Sequence, residues 1–133
     1  MKKIPLVLLV FALASCRGTD YLIRGRAEQD INPQQAKFVV IKCDCEKGVI
    51  VKESKDDLIH LKIKAKQGSK GYHGRQPNRP GKISKERMLF KTEFHNDTLK
   101  LLSQDHWFMH HFFLIDKLKV EMPKGVNYDI VKE

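Results

Sequence analysis

The sequence predicts an all-β domain, a small antiparallel β-sandwich or β-roll, carried behind an N-terminal leader and a flexible tether. Three observations lead there. Leu58 to Lys66, "LIHLKIKAK", alternates apolar and polar residues from Ile59 onward, which is the period of a half-buried strand. Turn-forming residues recur between β-branched and aromatic runs about every dozen residues, a spacing that suits sandwiches and barrels. No stretch longer than a turn or two keeps a helical period.

The chain opens Met1-Lys2-Lys3, followed by an apolar run from Ile4 to Ala14 broken only by Pro5. Two early lysines, a short apolar core and small residues before a boundary make a secretory signal peptide over residues 1–15. The run is far shorter than the ~20 apolar residues of a membrane-spanning helix. Leu13-Ala14-Ser15-Cys16 resembles the bacterial lipobox: leucine, two small residues, then cysteine. That resemblance implies acylation of the Cys16 thiol, cleavage before it and acylation of the new amine. Several acyl chains on one residue meet the requirement that stable anchoring needs more than one chain.

Removal of the first 15 residues leaves 118 of the 133 and takes away two lysines and no acid, so the formal charge falls from +9 to +7. That length supports one domain with a modest core. The basic balance suits an anionic neighbour such as lipid headgroups, lipopolysaccharide or another envelope polyanion. A leader that takes the chain out of the cytoplasm argues against nucleic acid. Arg17 after the cysteine is no obvious inner-membrane retention signal, which points to the outer membrane of a Gram-negative cell. Residues 16–35 are polar with weak periodicity and read as the acylated N-terminus and tether.

The β domain is expected over 36–133. "AKFVVIK" (Ala36 to Lys42) and "VIVKE" (Val49 to Glu53) flank "CDCEKG" and suggest a hairpin, with Gly48 free to take a positive φ. "SKDD" is a turn into the alternating strand, whose outer face carries His60, Lys62, Lys64 and Lys66. Residues 67–82, "QGSKGYHGRQPNRPGK", hold four glycines, two prolines and five basic side chains counting His73, with no acid. They predict a long exposed loop in which Lys70, Arg75, Arg79 and Lys82 form a candidate polyanion-binding set. "ISKERMLFKTEF" starts ambiguously and then alternates, with Met88, Phe90, Thr92 and Phe94 on one face. "HNDT" turns into "LKLL". In "HWFMHHFFLI", Trp107, Met109, Phe112 and Phe113 read mostly as core, with histidines on a partly buried edge. "DKLKVEM" sets Leu118, Val120 and Met122 inward, Pro123-Lys124-Gly125 ends it, and "VNYDIV" supplies a last strand.

The second half, about residues 49–131, is similar to β-rich envelope domains of bacterial proteins. These include adhesin head domains and the C-terminal regions of phage-shock-protein-C-like proteins of Bacteroidetes. Asp97-Thr98-Leu99 matches their "D-[ST]-L" hairpin, and Val120-Glu121-Met122-Pro123-Lys124-Gly125 their strand ending in "VP-x-G", with Met122 inserted. The resemblance implies a repetitive β-sandwich or β-roll and brings no catalytic residues.

One constellation could carry metal chemistry. Cys43, Cys45, His106 and His110, with Met109 and His111 nearby, are ligand types that copper or zinc prefers. Cys43 and Cys45 could equally be a buried pair or a bridge between neighbours, as exported proteins form disulfides. No zinc-finger or His-Glu-x-x-His spacing is present. No nucleophile motif or glycine-rich phosphate cradle follows a strand, so the sequence points away from an enzyme. The expected function is a lipid-anchored, non-catalytic binding or structural module of the cell envelope. A periplasmic copper- or zinc-binding lipoprotein is the alternative.

Overall fold

The computed structural model describes residues 21–45, 47–70 and 81–132. Among the described residues, nine strands form two sheets, with one short helix. The strands are β1 (Tyr21–Ile31), β2 (Phe38–Lys42), β3 (Val49–Glu53), β4 (Ile59–Ser69), β5 (Lys91–His95), β6 (Thr98–Leu102), β7 (His106–Phe108), β8 (His111–Met122) and β9 (Asn127–Val131). The helix is α1 (Lys85–Met88). The larger sheet runs β1-β4-β8-β3, with β7 on the same edge of β8 as β3. The smaller runs β5-β6-β2-β9. The expected all-β class holds, but the sheets are mixed. β2 is parallel to both β6 and β9, and β3 is parallel to β8.

One core joins the two sheets. Ile59, Leu61, Ile63 and Ala65 of β4 face Val39 and Ile41 of β2 and Leu99 and Leu101 of β6, in one cluster with the inner residues of β8. Burying each such aliphatic side chain stabilises the fold by roughly 1.5–3 kcal/mol. In β8 the inner positions are Phe113 and Ile115, then Leu118, Val120 and Met122. That change from odd to even would break a regular strand. A β-bulge absorbs it: Lys64 pairs with Lys117 and Ala65 with Ile115, leaving Asp116 as the extra residue. The Asp116 carbonyl accepts the Lys47 N–H at 3.0 Å, and its carboxylate lies 3.5 Å from Lys47 Nζ.

Several expectations change. Met88 ends α1 and Phe90 is buried ahead of β5, so neither shares a strand face with Thr92 and Phe94, which are exposed on β5. The stretch read as a tether contains β1, paired with β4 along its whole length, so residues 21–31 belong to the β domain expected only from residue 36. β2 and β3 do not form a hairpin, because they belong to different sheets. The strand before the basic loop continues through Ser69. Finally, "HWFMHHFFLI" is a hairpin and not one extended strand: β7 turns at Met109-His110, with Met109 at φ 54°. Phe113 is in the core, but Trp107 and Met109 stand in solvent, at 57% and 80% exposure. The β5–β6 hairpin does turn at Asn96-Asp97, with Asn96 at φ 56°.

Two features close the open side of the sandwich. Gly25 on the inner face of β1 leaves room for α1, since a Cβ there would stand 3.0 Å from Met88 Sδ and 3.3 Å from Ile83 Cβ. Gln29 bridges to the same segment, accepting from Phe90 N at 2.8 Å and donating to Phe90 O at 2.9 Å. Among the described residues no helix is long and apolar enough to cross a membrane.

Candidate functional site: a cationic sheet face bordered by an aromatic hairpin

The outer face of the larger sheet is ordered in cross-strand rows, because strand register places every second residue of β1, β4 and β8 side by side. At one end Asp30, His60 and Glu121 stand abreast. Next come Glu28, Lys62 and Lys119, then Arg26, Lys64 and Lys117, then Arg24, Lys66 and Leu114. The last full row is Leu22, Gly68, Phe112 and Trp107. The face therefore runs from acidic, through a band of seven basic residues, to apolar and aromatic.

The band is held together against its own repulsion. Arg26 foremost, with desolvation and then Lys117, Lys119 and Lys47, holds the Lys64 ammonium below the usual lysine value. Among the described residues, no carboxylate lies in ion-pair contact with Arg26, Lys62, Lys64, Lys117 or Lys119. A shallow recess of about 160 Å³ opens between Arg26, Lys62, Lys64, Lys117 and Lys119, with Glu28 also in its lining. A second of about 460 Å³ is lined by Arg24, Arg26, Lys47 and Lys64 together with Asp116, the ion-pair partner of Lys47. A sheet face on which cations outnumber carboxylates this far is a site for an anion or an anionic surface.

At the acidic end His60 offsets part of the negative charge. His60 Nδ1 lies 2.6 Å from Asp30 Oδ1, and its Nε2 lies 2.8 and 2.9 Å from the two Asp56 oxygens. With a carboxylate at each ring nitrogen, the doubly protonated ring donates both ways. The Asp30 bond, then the Asp56 bond, pushes the His60 pKa above its ordinary value. Asp56 is in turn held by the Leu58 N–H at 2.9 Å and by Ser54 Oγ at 3.0 Å. The Leu58 bond foremost, then His60, lowers the pKa of its carboxyl.

The aromatic end is built on a close backbone approach. A Cβ on Gly68 would collide with the Tyr21 carbonyl oxygen and stand 3.1 Å from Phe112 Cζ, so the Phe112 ring lies across the glycine. Trp107 packs on Phe112 with centroids 4.9 Å apart. On the other face of the hairpin, the Arg87 guanidinium carbon sits 5.3 Å from the Phe113 centroid, a cation–π distance.

The candidate metal ligands do not converge. Cys43 and Cys45 are joined to each other in a buried disulfide, with Cα atoms 5.4 Å apart. The chain leaves β2 at Lys42, so the pair escapes the wider spacing of an extended strand and the bridge can close. His106 Nδ1 lies 3.4 Å from Arg87 Nη2, and His110 Nδ1 lies 3.2 Å from the Lys70 carbonyl oxygen. The described residues contain no group of three His, Cys, Asp or Glu side chains that could hold a metal ion. Of the polyanion candidates, Lys70 and Lys82 are exposed, while Arg75 and Arg79, like Cys16, lie outside the described residues.

Sequence reasoning missed Arg24, Arg26 and Lys117 as partners of Lys64. A signal was present: "LIRGRAEQDI" alternates Arg24, Arg26, Glu28 and Asp30 against Ile23, Gly25, Ala27, Gln29 and Ile31. Glycine, alanine and glutamine on the inner side hid the period. The chain matches no protein-family model, no curated protein and no solved structure.

Proposed function

We propose that this is a lipid-anchored protein of the bacterial cell envelope, most simply of the outer membrane, that works by binding and not by catalysis. Acylated Cys16 holds it at a membrane, and the cationic band on β1, β4 and β8 engages an anionic surface: phospholipid headgroups, lipopolysaccharide or another envelope polyanion. The observation that carries this reading is Arg26, Lys64 and Lys117 abreast on three neighbouring strands, with no carboxylate among them. A protein gains nothing in stability from such a row, because like charges directly opposite each other are destabilising. Its use lies outside the molecule.

Two measurements test the proposal. Mass spectrometry of the protein taken from cell membranes should find residues 1–15 removed and acyl chains on Cys16. The leaderless chain, residues 17–133, should sediment with phosphatidylglycerol vesicles at low salt and be released as salt rises, since the Debye length shrinks to about 8 Å at physiological ionic strength. An intact leader on an unmodified cysteine, or binding to neutral vesicles that salt does not touch, overturns the corresponding half.

A further inference from the structure

The hairpin of β7 and β8 presents Trp107, Phe108 and Met109 to solvent, each more than half exposed. Large apolar groups in an exposed cluster need an occupant, and four observations on this fold point to the same one.

The first is position. Tyr21 pairs with Ser69, Ser69 with His111, and His111 with Phe108. Tyr21, the first residue of β1, and the hairpin tip therefore share one end of the sheet. The second is reach. Four residues separate Cys16 from Tyr21, and the five steps between them span at most about 18 Å. An acylated Cys16 keeps that end of the sheet within this distance of the bilayer. The third is layering. A strand rises about 3.3 Å per residue, so the Arg24–Lys66 row lies roughly 7 Å behind the Leu22–Gly68–Phe112 row. The Arg26–Lys64–Lys117 row lies roughly 13 Å behind it. The headgroup layer of a bilayer is roughly 5–8 Å deep. With aromatic side chains at the acyl boundary, the cations stand at the level of the phosphates and just outside it. The fourth is polarity. Asp30, Asp56 and Glu121 gather at the opposite end of the same face, where a negative surface repels them least.

We propose that the β7–β8 hairpin tip, Trp107 to Met109 with Leu22 and Phe112 behind it, enters the headgroup–acyl boundary of the bilayer that holds the N-terminal lipid. The Arg24–Lys66 row then lies among the anionic headgroups, and the Arg26–Lys64–Lys117 row faces them from just outside. Tryptophan and phenylalanine favour this depth because the apolar ring leaves water while polar atoms nearby remain hydrated. The domain is thereby oriented, strands along the membrane normal, and does not swing freely about its anchor. This inference rests on the lipoprotein reading above and adds a second point of attachment to it.

Trp107 is the protein's single tryptophan, so its fluorescence reports the hairpin alone. The full-length protein, processed in cells and purified in detergent, is reconstituted into vesicles of phosphatidylethanolamine and phosphatidylglycerol. Part of the lipid carries bromine near the headgroup end of the acyl chains. Flotation and the mass of the Cys16 peptide report the anchor, and Trp107 quenching reports the tip. The expected result is a blue-shifted Trp107 that loses roughly half its emission to the brominated lipid, as a ring at the interface should. Phe108→Asp with Met109→Asp, two exposed changes that spare Trp107, should abolish the quenching while melting and flotation stay unchanged. Acylated protein that floats with Trp107 unquenched overturns the hairpin inference and leaves the anchor standing. Quenching without acylation keeps the hairpin and sinks the anchor, and neither flotation nor quenching sinks both. A blue-shifted Trp107 in detergent-free protein before lipid is added, rising with protein concentration, assigns the tip to a second copy and overturns the proposal.

Discussion

Replacing Lys64 and Lys117 by glutamine should weaken binding and leave stability equal or higher. The two lysines face each other across β4 and β8, and Arg26 flanks Lys64 from β1. Each basic residue close to an anionic membrane surface changes partitioning by roughly five-fold at low salt, so the pair should be worth about thirty-fold. The loss should shrink as salt is added, because screening already weakens the parent protein there. Stability should move the other way. Arg26, Lys117 and Lys119 hold the Lys64 pKa down, which means the charged form is disfavoured in the fold, and removing two members of the row relieves that repulsion. Vesicle sedimentation of residues 17–133 with anionic and zwitterionic lipid gives the first quantity, and thermal melting gives the second. Lys42→Gln with Lys100→Gln, on the smaller sheet, removes the same formal charge elsewhere and should change binding far less. The reasoning is refuted if this control is as severe as the test pair, since net charge alone would then govern. It is also refuted if the Lys64/Lys117 variant melts earlier than the parent, since the lysines would then serve the fold.

Two further outcomes follow from the ends of the same face. Gly68→Ala should destabilise the domain by about 1–3 kcal/mol, the usual penalty for forcing atoms into a packed site. The new Cβ meets the Tyr21 carbonyl and the Phe112 ring, and a melting temperature equal to the parent's would show that β1 can move aside. His60 should make stability fall on the alkaline side. Its folded pKa is raised above 6.5, so its contribution is complete below that value and is lost as pH rises through the higher folded pKa. Asp56, lowered from 3.8, contributes fully above that value and loses its contribution as pH falls through its folded pKa. His60→Gln should flatten the alkaline decline measured by melting between about pH 6 and 9; a parent protein whose stability rises across that interval contradicts the clamp.

Much of the fold was legible because burial writes a period into a strand. Ile59, Leu61, Ile63 and Ala65 alternate with His60, Lys62, Lys64 and Lys66, and both faces emerged as read. Leu118, Val120 and Met122 likewise turned inward. The failures have local causes. β1 escaped notice because Gly25, Ala27 and Gln29 occupy its inner face: Gly25 admits the Met88 side chain and Gln29 bonds Phe90, and neither adds hydrophobicity to the pattern. Trp107 and Met109 read as core because aromatic and thioether side chains usually are, yet a two-residue turn at Met109-His110 lifts the tip off the sandwich. The Cys43–Cys45 pair could not be decided from spacing, since a bridge across one residue depends on the backbone leaving its extended path after Lys42.

By itself the chain of residues determined that strands would form, which side of β4 and of the second half of β8 would be buried, and that a cationic stripe would remain on β4. These are local properties, set by alternation and by turn chemistry within a few residues. Which strands would lie beside one another was decided only in three dimensions. Arg26, Lys64 and Lys117 are far apart along the chain, and register alone brings them into one row. The bulge at Asp116 keeps both halves of β8 facing the core and so fixes which side chains complete that row. Pairing between distant strands depends on how whole hydrophobic faces fit together, and no short window of sequence contains that information.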